Sequence, residues 1–183
     1  MTRIIAFYGT AEAGKSTAAA ILRDYWGIPT FSFAEEIKTI CSPIGHLLYG
    51  ANLDKTKMRS LYQLVGGMGR EVHEDFWVLR TVEKMEGFTL ASIDDLRYLN
   101  EAAVVRAHGG VCVHIIRPGF ENQLSPEQRK HSSEVELTKI YPDFTIVNTG
   151  NYADFRAKIL STLNPFLDDD ITNRLVDRGH FEE

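Results

Sequence analysis

The sequence predicts an α/β fold in which a five-stranded parallel sheet is flanked by helices, and three observations carry that expectation. Short, nearly continuous apolar runs such as Ile4-Ile5-Ala6-Phe7-Tyr8 have strand length and no polar face, as strands covered on both sides of a parallel sheet do. These runs alternate with segments of helical composition. The first run also stops at a glycine-rich turn that leads directly into an alanine-rich stretch.

The elements follow in order. After the first strand, Ser16 to Tyr25 reads as a helix, with Ala18, Ala19, Ala20, Ile21 and Leu22 as strong helix formers. Gly27-Ile28-Pro29 breaks the chain, and Thr30 to Phe33 reads as a second strand. Residues 34–87 read as an inserted helical lobe: Glu35 to Tyr49 interrupted near Pro43, Lys57 to Val65, and His73 to Met85. Strand Thr89 to Ile93 and helix Leu99 to His108 resume the alternation. Gly109-Gly110 is the stop, with Gly110 letting the chain reverse into strand Val111 to Ile116. Pro118 to Ser133 holds little that can join a core, and residues 117–134 read as a mobile excursion. Strand Phe144 to Val147 and helix Tyr152 to Leu163 complete the pattern, and the tail, residues 165–183, adds one short helix.

At 183 residues and 44% hydrophobic, the chain can bury one substantial core, and a single domain is expected. A formal net charge of −5 argues against the broad basic surface that holds nucleic acid, so anions are expected in a local pocket. Cys41 and Cys112 form no C-x-x-C pair, which points to a reduced cytoplasmic setting without disulfides or zinc. No apolar run approaches membrane-spanning length.

The most informative segment is Gly9-Thr10-Ala11-Glu12-Ala13-Gly14-Lys15-Ser16-Thr17. A triphosphate needs several backbone N–H groups converging on its oxygens, and small residues at Gly9, Ala11, Ala13 and Gly14 let the main chain come close. The following helix N-terminus favours phosphate, Lys15 can reach the β- and γ-phosphates, Ser16 is suited to Mg²⁺ and Thr17 to the α-phosphate. The plainer alternative is a turn that binds nothing. The full G-x-x-x-x-G-K-S spacing between a strand and a helix favours the ATP cradle of a P-loop NTPase. Glu12 is an unhelpful charge beside phosphates and is expected to face solvent.

Asp94-Asp95-Leu96-Arg97 ends an apolar strand at the sheet edge where ligands gather. From the sequence, Asp95 is assigned to the metal or the acceptor and Arg97 to phosphate; ordinary capping charges are the alternative.

Several ordered segments resemble the deoxynucleoside monophosphate kinases encoded by bacteriophages. They are Gly9 to Thr17, Phe33-Ala34-Glu35-Glu36-Ile37-Lys38, the R-x-L-x-Q-x-x-G core that begins at Arg59, and then Arg70 and Trp77. Further on come Asp95-Leu96-Arg97-Tyr98-Leu99-Asn100-Glu101, Gly109-Gly110 through Arg117-Pro118-Gly119, His131-Ser132-Ser133-Glu134 and Asn148-Thr149-Gly150. The loop differs from the family's R-S-G-K-D version in carrying Ala13 and Ser16.

The resemblance implies a nucleoside monophosphate kinase-like fold whose helical lobe binds the NMP and whose polar excursion is the lid. It implies transfer of phosphate from ATP, with Mg²⁺, to a deoxynucleoside monophosphate for dNTP supply. Lys38, Arg59, Arg70 and Arg97 are the cations for the acceptor phosphate, since arginine's planar fork suits that task. Gln63 can hydrogen-bond a base or phosphate, Phe33, Tyr62 and Trp77 offer stacking faces or simply core packing, and Glu101 belongs to the same motif. In the lid, Arg117 is preferred over Arg129 and Lys130 for the transferred group, and His131 with Glu134 reads as a helix cap. Asn148 and Gly150 would line the adenine end of ATP, or simply connect a strand to a helix capped by Asn151.

Two other kinds of reading remain open at this stage. The cradle could serve another acceptor, as in phosphomevalonate or dephospho-coenzyme A kinases, or a hydroxymethylated base in DNA. A non-catalytic ATP-binding regulatory module is the alternative of a different class. No stable nucleic-acid or membrane partner is expected, and the reading allows a homodimer.

Overall fold

A computed structural model describes residues 1–50, 55–119 and 132–177. Five strands form one parallel sheet: β1 (Arg3–Tyr8), β2 (Thr30–Phe31), β3 (Leu90–Ile93), β4 (Val111–Ile116) and β5 (Phe144–Val147), in the spatial order β2-β3-β1-β4-β5. The helices are α1 (Lys15–Trp26), α2 (Glu35–Tyr49), α3 (Lys55–Val72), α4 (Phe76–Lys84), α5 (Leu99–Ala107), α6 (Ser132–Leu137) and α7 (Tyr152–Asp177).

The continuous apolar pattern of β1 is explained by burial on both faces. Ile5 and Phe7 point to one side and pack with Ala18 and Leu22 of α1 and Phe155, Ile159 and Leu163 of α7. Ile4, Ala6 and Tyr8 point to the other and meet Val78 of α4 and Ala102 and Val105 of α5. A third cluster, Ile37, Cys41, Met58 and Trp77, is the core of the helical lobe. None of the described helices is long and apolar enough to cross a membrane.

Four elements differ from the sequence expectation, each for a packing reason. The second strand stops at Phe31 because the N–H groups of Phe33 and Ala34 donate to the Asp95 carboxylate, not to a neighbouring strand. Helix α2 runs unbroken past Pro43, whose ring is exposed while Ile37, Cys41 and Gly45 hold the opposite side. Helix α7 likewise passes through exposed Pro165, held by buried Leu163 and Leu167, where a separate short helix was expected. Helix α3 continues beyond Val65 to Val72 although it contains Gly66, Gly67 and Gly69. The reason is Trp77: its Nε1 donates to the Gly66 carbonyl at 2.9 Å, and a Cβ on Gly69 would lie 2.5 Å from the indole. Packing of a buried tryptophan outweighs about 1 kcal/mol of helix propensity per glycine.

The turn into β4 uses its glycines differently than expected. Gly109 takes the left-handed conformation (φ 63°), whereas Gly110 is the point of close approach, where a Cβ would run into the carbonyls of Ile4 and Val105. Gly110→Ala is therefore expected to destabilise the fold by about 1–3 kcal/mol through overpacking against backbone that cannot move aside. A thermal or urea unfolding curve equal to wild type would show that this approach is not rigid.

Candidate active site

The glycine-rich loop is built where β1 runs out. Gly9 packs beneath the Ile115 carbonyl so closely that any Cβ would collide with it, and Ala13 N–H donates to the Thr10 carbonyl (3.3 Å) to close the loop. Gly14, at φ 109°, caps α1, and the N–H groups of the first helical turn open toward the loop. Glu12 adopts φ 61° and is exposed, as expected, while its carbonyl accepts from Arg117 Nη1 at 3.2 Å. Ala11 sits exposed at the loop tip.

Lys15 folds over this loop, donating from Nζ to the carbonyls of Gly9 (3.1 Å) and Thr10 (2.7 Å). Burial, reinforced by the nearby Arg97 charge, lowers its pKa to about 8 against the opposing pull of Asp94, Asp95 and Glu134. An ammonium so placed gains from a phosphate more than a solvated one would.

The two aspartates meet different partners. Ser16 Oγ donates to Asp94 Oδ2 at 2.6 Å, so Asp94, and not the Asp95 expected from sequence, is the carboxylate beside Ser16. Asp95 faces the other way and staples the start of the lobe, accepting from Ser32 Oγ (2.5 Å), Phe33 N–H (2.8 Å) and Ala34 N–H (3.0 Å). The cause is register: Ile93 lies beside Ala6 of β1, and successive residues at a strand end project to opposite sides. One hydroxyl and one carboxylate, both hard oxygen donors, fit Mg²⁺, which takes few protein ligands beside phosphate. Among the described residues, no group of three or more His, Cys, Asp or Glu side chains is placed to hold a metal ion.

Two cavities meet at Lys15 and Ser16. The first, of about 590 Å³, opens toward the lobe and brings together all the acceptor residues expected from sequence. Phe33, Tyr62 and Trp77 form its aromatic wall, with Gln63 beside them. Lys38, Arg59, Arg70 and Arg97 supply cations. Lys38 Nζ donates to Ser32 Oγ (3.3 Å), and the Arg70 guanidinium stacks on Tyr98 at 4.4 Å.

Two contributions were not legible beforehand. Glu134 on α6, read from sequence as a cap, accepts on Oε1 from Arg59 Nη2 (2.9 Å) and Arg97 Nη1 (2.6 Å). Tyr98 lines the cavity and holds Arg70. For Asp94 the signal was present in the adjacent-aspartate pair; for Glu134 it was hidden, because an acid beside a short helix reads as a cap.

The second cavity, of about 550 Å³, lies on the other side of the loop, where Arg117, Asn148 and Gly150 join Gly14, Lys15, Ser16 and Thr17. Asn148 Nδ2 donates to the Ala13 carbonyl at 2.8 Å, which ties the end of β5 to the cradle. Asn151 caps α7 as expected, its Oδ1 accepting from Asp154 N–H at 3.1 Å. Arg117, expected from sequence to close over the triphosphate, lines this second cavity and not the first. Arg129, Lys130 and His131 lie outside the described residues.

Glu101 is buried in the wall of the first cavity and accepts the N–H groups of Arg97 (2.7 Å) and Tyr98 (3.0 Å), so it fixes the turn that presents Arg97. Burial raises its pKa from 4.5 to about 8, with Asp95 adding to the rise and the two N–H donors and Arg70 opposing it. The folded state therefore holds this proton more tightly than the unfolded chain, and the stability it contributes is full below pH 4.5 and is lost as pH rises toward 8. Glu101→Gln cannot titrate, so the melting-temperature advantage of wild type over this variant is expected to shrink steadily between pH 5 and 8.5. Parallel melting curves across that range would contradict the buried-acid assignment.

No protein-family model matches the chain. In sequence it is 27% identical over 191 residues to an Acanthamoeba polyphaga mimivirus protein provisionally named deoxynucleotide monophosphate kinase, covering 88% of this chain and 96% of that one. It is 28% identical over 165 residues to the uncharacterized protein ORF76 of Ictalurid herpesvirus 1 (strain Auburn), covering 87% of this chain but only 66% of that protein's length. In structure it is similar to TT1252 from Thermus thermophilus, with a TM-score of 0.57 at 19% identity over 91% of this chain and 98% of that one. Dephospho-CoA kinase from Campylobacter jejuni aligns with a TM-score of 0.52 at 16% identity, over 90% and 97% of the two chains. The chain has the P-loop kinase fold, and along most of its length it resembles a viral protein named for the deoxynucleotide monophosphate kinases.

Proposed function

We propose that this protein is a kinase that transfers the γ-phosphoryl group of ATP to a deoxynucleoside 5′-monophosphate, giving the diphosphate and ADP. The observation that carries the reading is that Lys15 and Ser16 line both cavities, so a triphosphate on one side and an anionic acceptor on the other meet at the same two residues. The arginines and aromatic rings that line the acceptor cavity match a molecule with a phosphate and a flat base. The choice of a deoxynucleotide rests on the family resemblance and on the name of the mimivirus relative.

In this reading an acceptor phosphate oxygen attacks the γ-phosphorus as the bond to the β–γ bridging oxygen breaks, and ADP departs with that electron pair. Transfer of this kind needs positioning and charge neutralisation, not a covalent nucleophile. Lys15 neutralises the β- and γ-phosphates, Arg59, Arg70 and Arg97 hold the acceptor phosphate, and Glu101 positions Arg97. Asp95 anchors the segment that carries Phe33 and Lys38. Ser16 and Asp94 are the residues that would hold Mg²⁺, whose charge offsets that of the phosphates. Arg117 with Asn148 and Gly150 belongs to the ATP side, and Arg129 and Lys130 are assigned to closure over the triphosphate by resemblance alone.

A coupled ADP assay with the deoxynucleoside and ribonucleoside monophosphates, dephospho-coenzyme A and phosphomevalonate tests the reading, and turnover is expected only with nucleotide acceptors. Tight ATP binding with no acceptor-dependent turnover would instead favour a regulatory module. Lys15→Ala should lower kcat by roughly 10²–10³-fold, the usual effect of deleting one preorganised charge at the transferring group, without changing the melting temperature greatly. The aspartates should separate in a magnesium titration. Asp94→Asn is expected to need more Mg²⁺ for half-maximal rate, whereas Asp95→Asn should chiefly raise KM for the acceptor by loosening the lobe; the reverse pattern would restore Asp95 to the metal.

A further inference from the structure

Two arginines of the acceptor cavity are already paired with an anion of the protein's own. A single carboxylate oxygen of Glu134 takes hydrogen bonds from two guanidinium groups on different elements, Arg59 of α3 and Arg97 of the β3–α5 connection. The carboxylate is more enclosed than its partners: its side chain is 10% exposed, against 24% for Arg59 and 34% for Arg97. Both arginines line the cavity, so the guanidiniums held by Glu134 also border the space that an acceptor would enter. The clamp is also incompletely used. Arg59 Nε is buried and has no hydrogen-bond acceptor among the described residues, an arrangement that costs free energy unless an oxygen arrives to meet it.

We propose that Glu134 is a built-in counter-ion that holds the acceptor-phosphate position of the cleft and gives it up to the substrate, so that the site admits phosphorylated acceptors and excludes unphosphorylated nucleosides. This deepens the kinase reading above and rests on it for the identity of the acceptor.

The electrostatics require some such device. Arg59, Arg97 and Lys15 converge on one cleft, and the Arg97 charge already makes Lys15 harder to protonate, while Glu134 acts on Lys15 in the opposite sense. Unpaired, these cations would repel one another in a partly desolvated space. One carboxylate relieves that repulsion with a single negative charge. A phosphate monoester brings a charge of about −1.5 to −2 and three acceptor oxygens, enough to satisfy both guanidiniums and the orphaned Arg59 Nε together. A nucleoside brings no charge. It leaves the arginines paired to Glu134, and its hydroxyl is not held in line for transfer.

Glu134→Gln keeps the shape and removes the charge, and Glu134→Ala removes the acceptor oxygens as well. Each would be compared with wild type by steady-state kinetics against a deoxynucleoside monophosphate and by calorimetric titration with inorganic phosphate. The expected result is a KM for the monophosphate and a Kd for inorganic phosphate lowered by roughly 5-fold in both variants, the scale of a partly exposed ion pair. The change should fall on KM more than on kcat, and wild type should not phosphorylate the corresponding deoxynucleoside. A raised KM, a loss confined to kcat, phosphate affinity equal to wild type, or nucleoside turnover by wild type would each overturn the proposal. The first two would leave Glu134 as a group that only positions the arginines. If no monophosphate is phosphorylated by wild type, the kinase reading fails, while the phosphate titration still decides the role of Glu134.

Discussion

Because β1 pairs in parallel with β3 on one side and β4 on the other, the carboxyl ends of all three strands reach the same edge of the sheet, and the candidate site depends on that alignment. The pairing of Ala6 with Ile93 places the Asp94-Asp95 step beside the start of α1, so Ser16 can reach Asp94 across 78 residues of sequence. The pairing of Tyr8 with His114 carries the Ile115 carbonyl over Gly9, where only a residue without a side chain fits. At the far edge, β5 follows β4 in register and delivers Asn148 to the Ala13 carbonyl. Two hydrogen bonds and one steric contact thus fix the cradle against the sheet from three sides.

Around this edge the molecule concentrates positive charge although its formal net charge is −5. Lys15, Lys38, Arg59, Arg70 and Arg97 border one cavity, and each is restrained: Lys15 by loop carbonyls, Lys38 by Ser32, Arg70 by an aromatic face, and the other two by Glu134. Partners of this kind hold side chains near their working geometry before a substrate arrives, which lowers the entropy cost of binding. The acids are placed with equal economy. Asp94 serves Ser16, Asp95 and Glu101 serve backbone N–H groups, and Glu134 serves the arginines.

The lobe illustrates how tertiary burial outweighs local preference. Pro43 lies within α2 and three glycines lie within α3, residues that favour breaks when a segment stands alone. The buried cluster of Ile37, Cys41, Met58 and Trp77 holds both helices through them. Gly69 is what allows α3 to approach the Trp77 indole, so a residue that weakens the helix locally permits its packing. That packing in turn sets the aromatic wall of the acceptor cavity.

The sequence by itself determined the alternating architecture, strands β4 and β5 to the residue, the glycine-rich loop from Gly9 to Thr17 between β1 and α1, and the cations and rings that line the first cavity. These are local properties: apolar runs need no partner to be recognised, and a Gly-rich turn before a helix sets its own backbone chemistry. Only the tertiary structure decided which of two adjacent carboxylates meets Ser16, that Arg117 lines the cavity beside Asn148, and that Glu134 bridges Arg59 and Arg97. Side-chain direction at a strand end depends on register with neighbours distant in sequence, and a helix-start acid becomes a counter-ion only when folding brings two arginines to it.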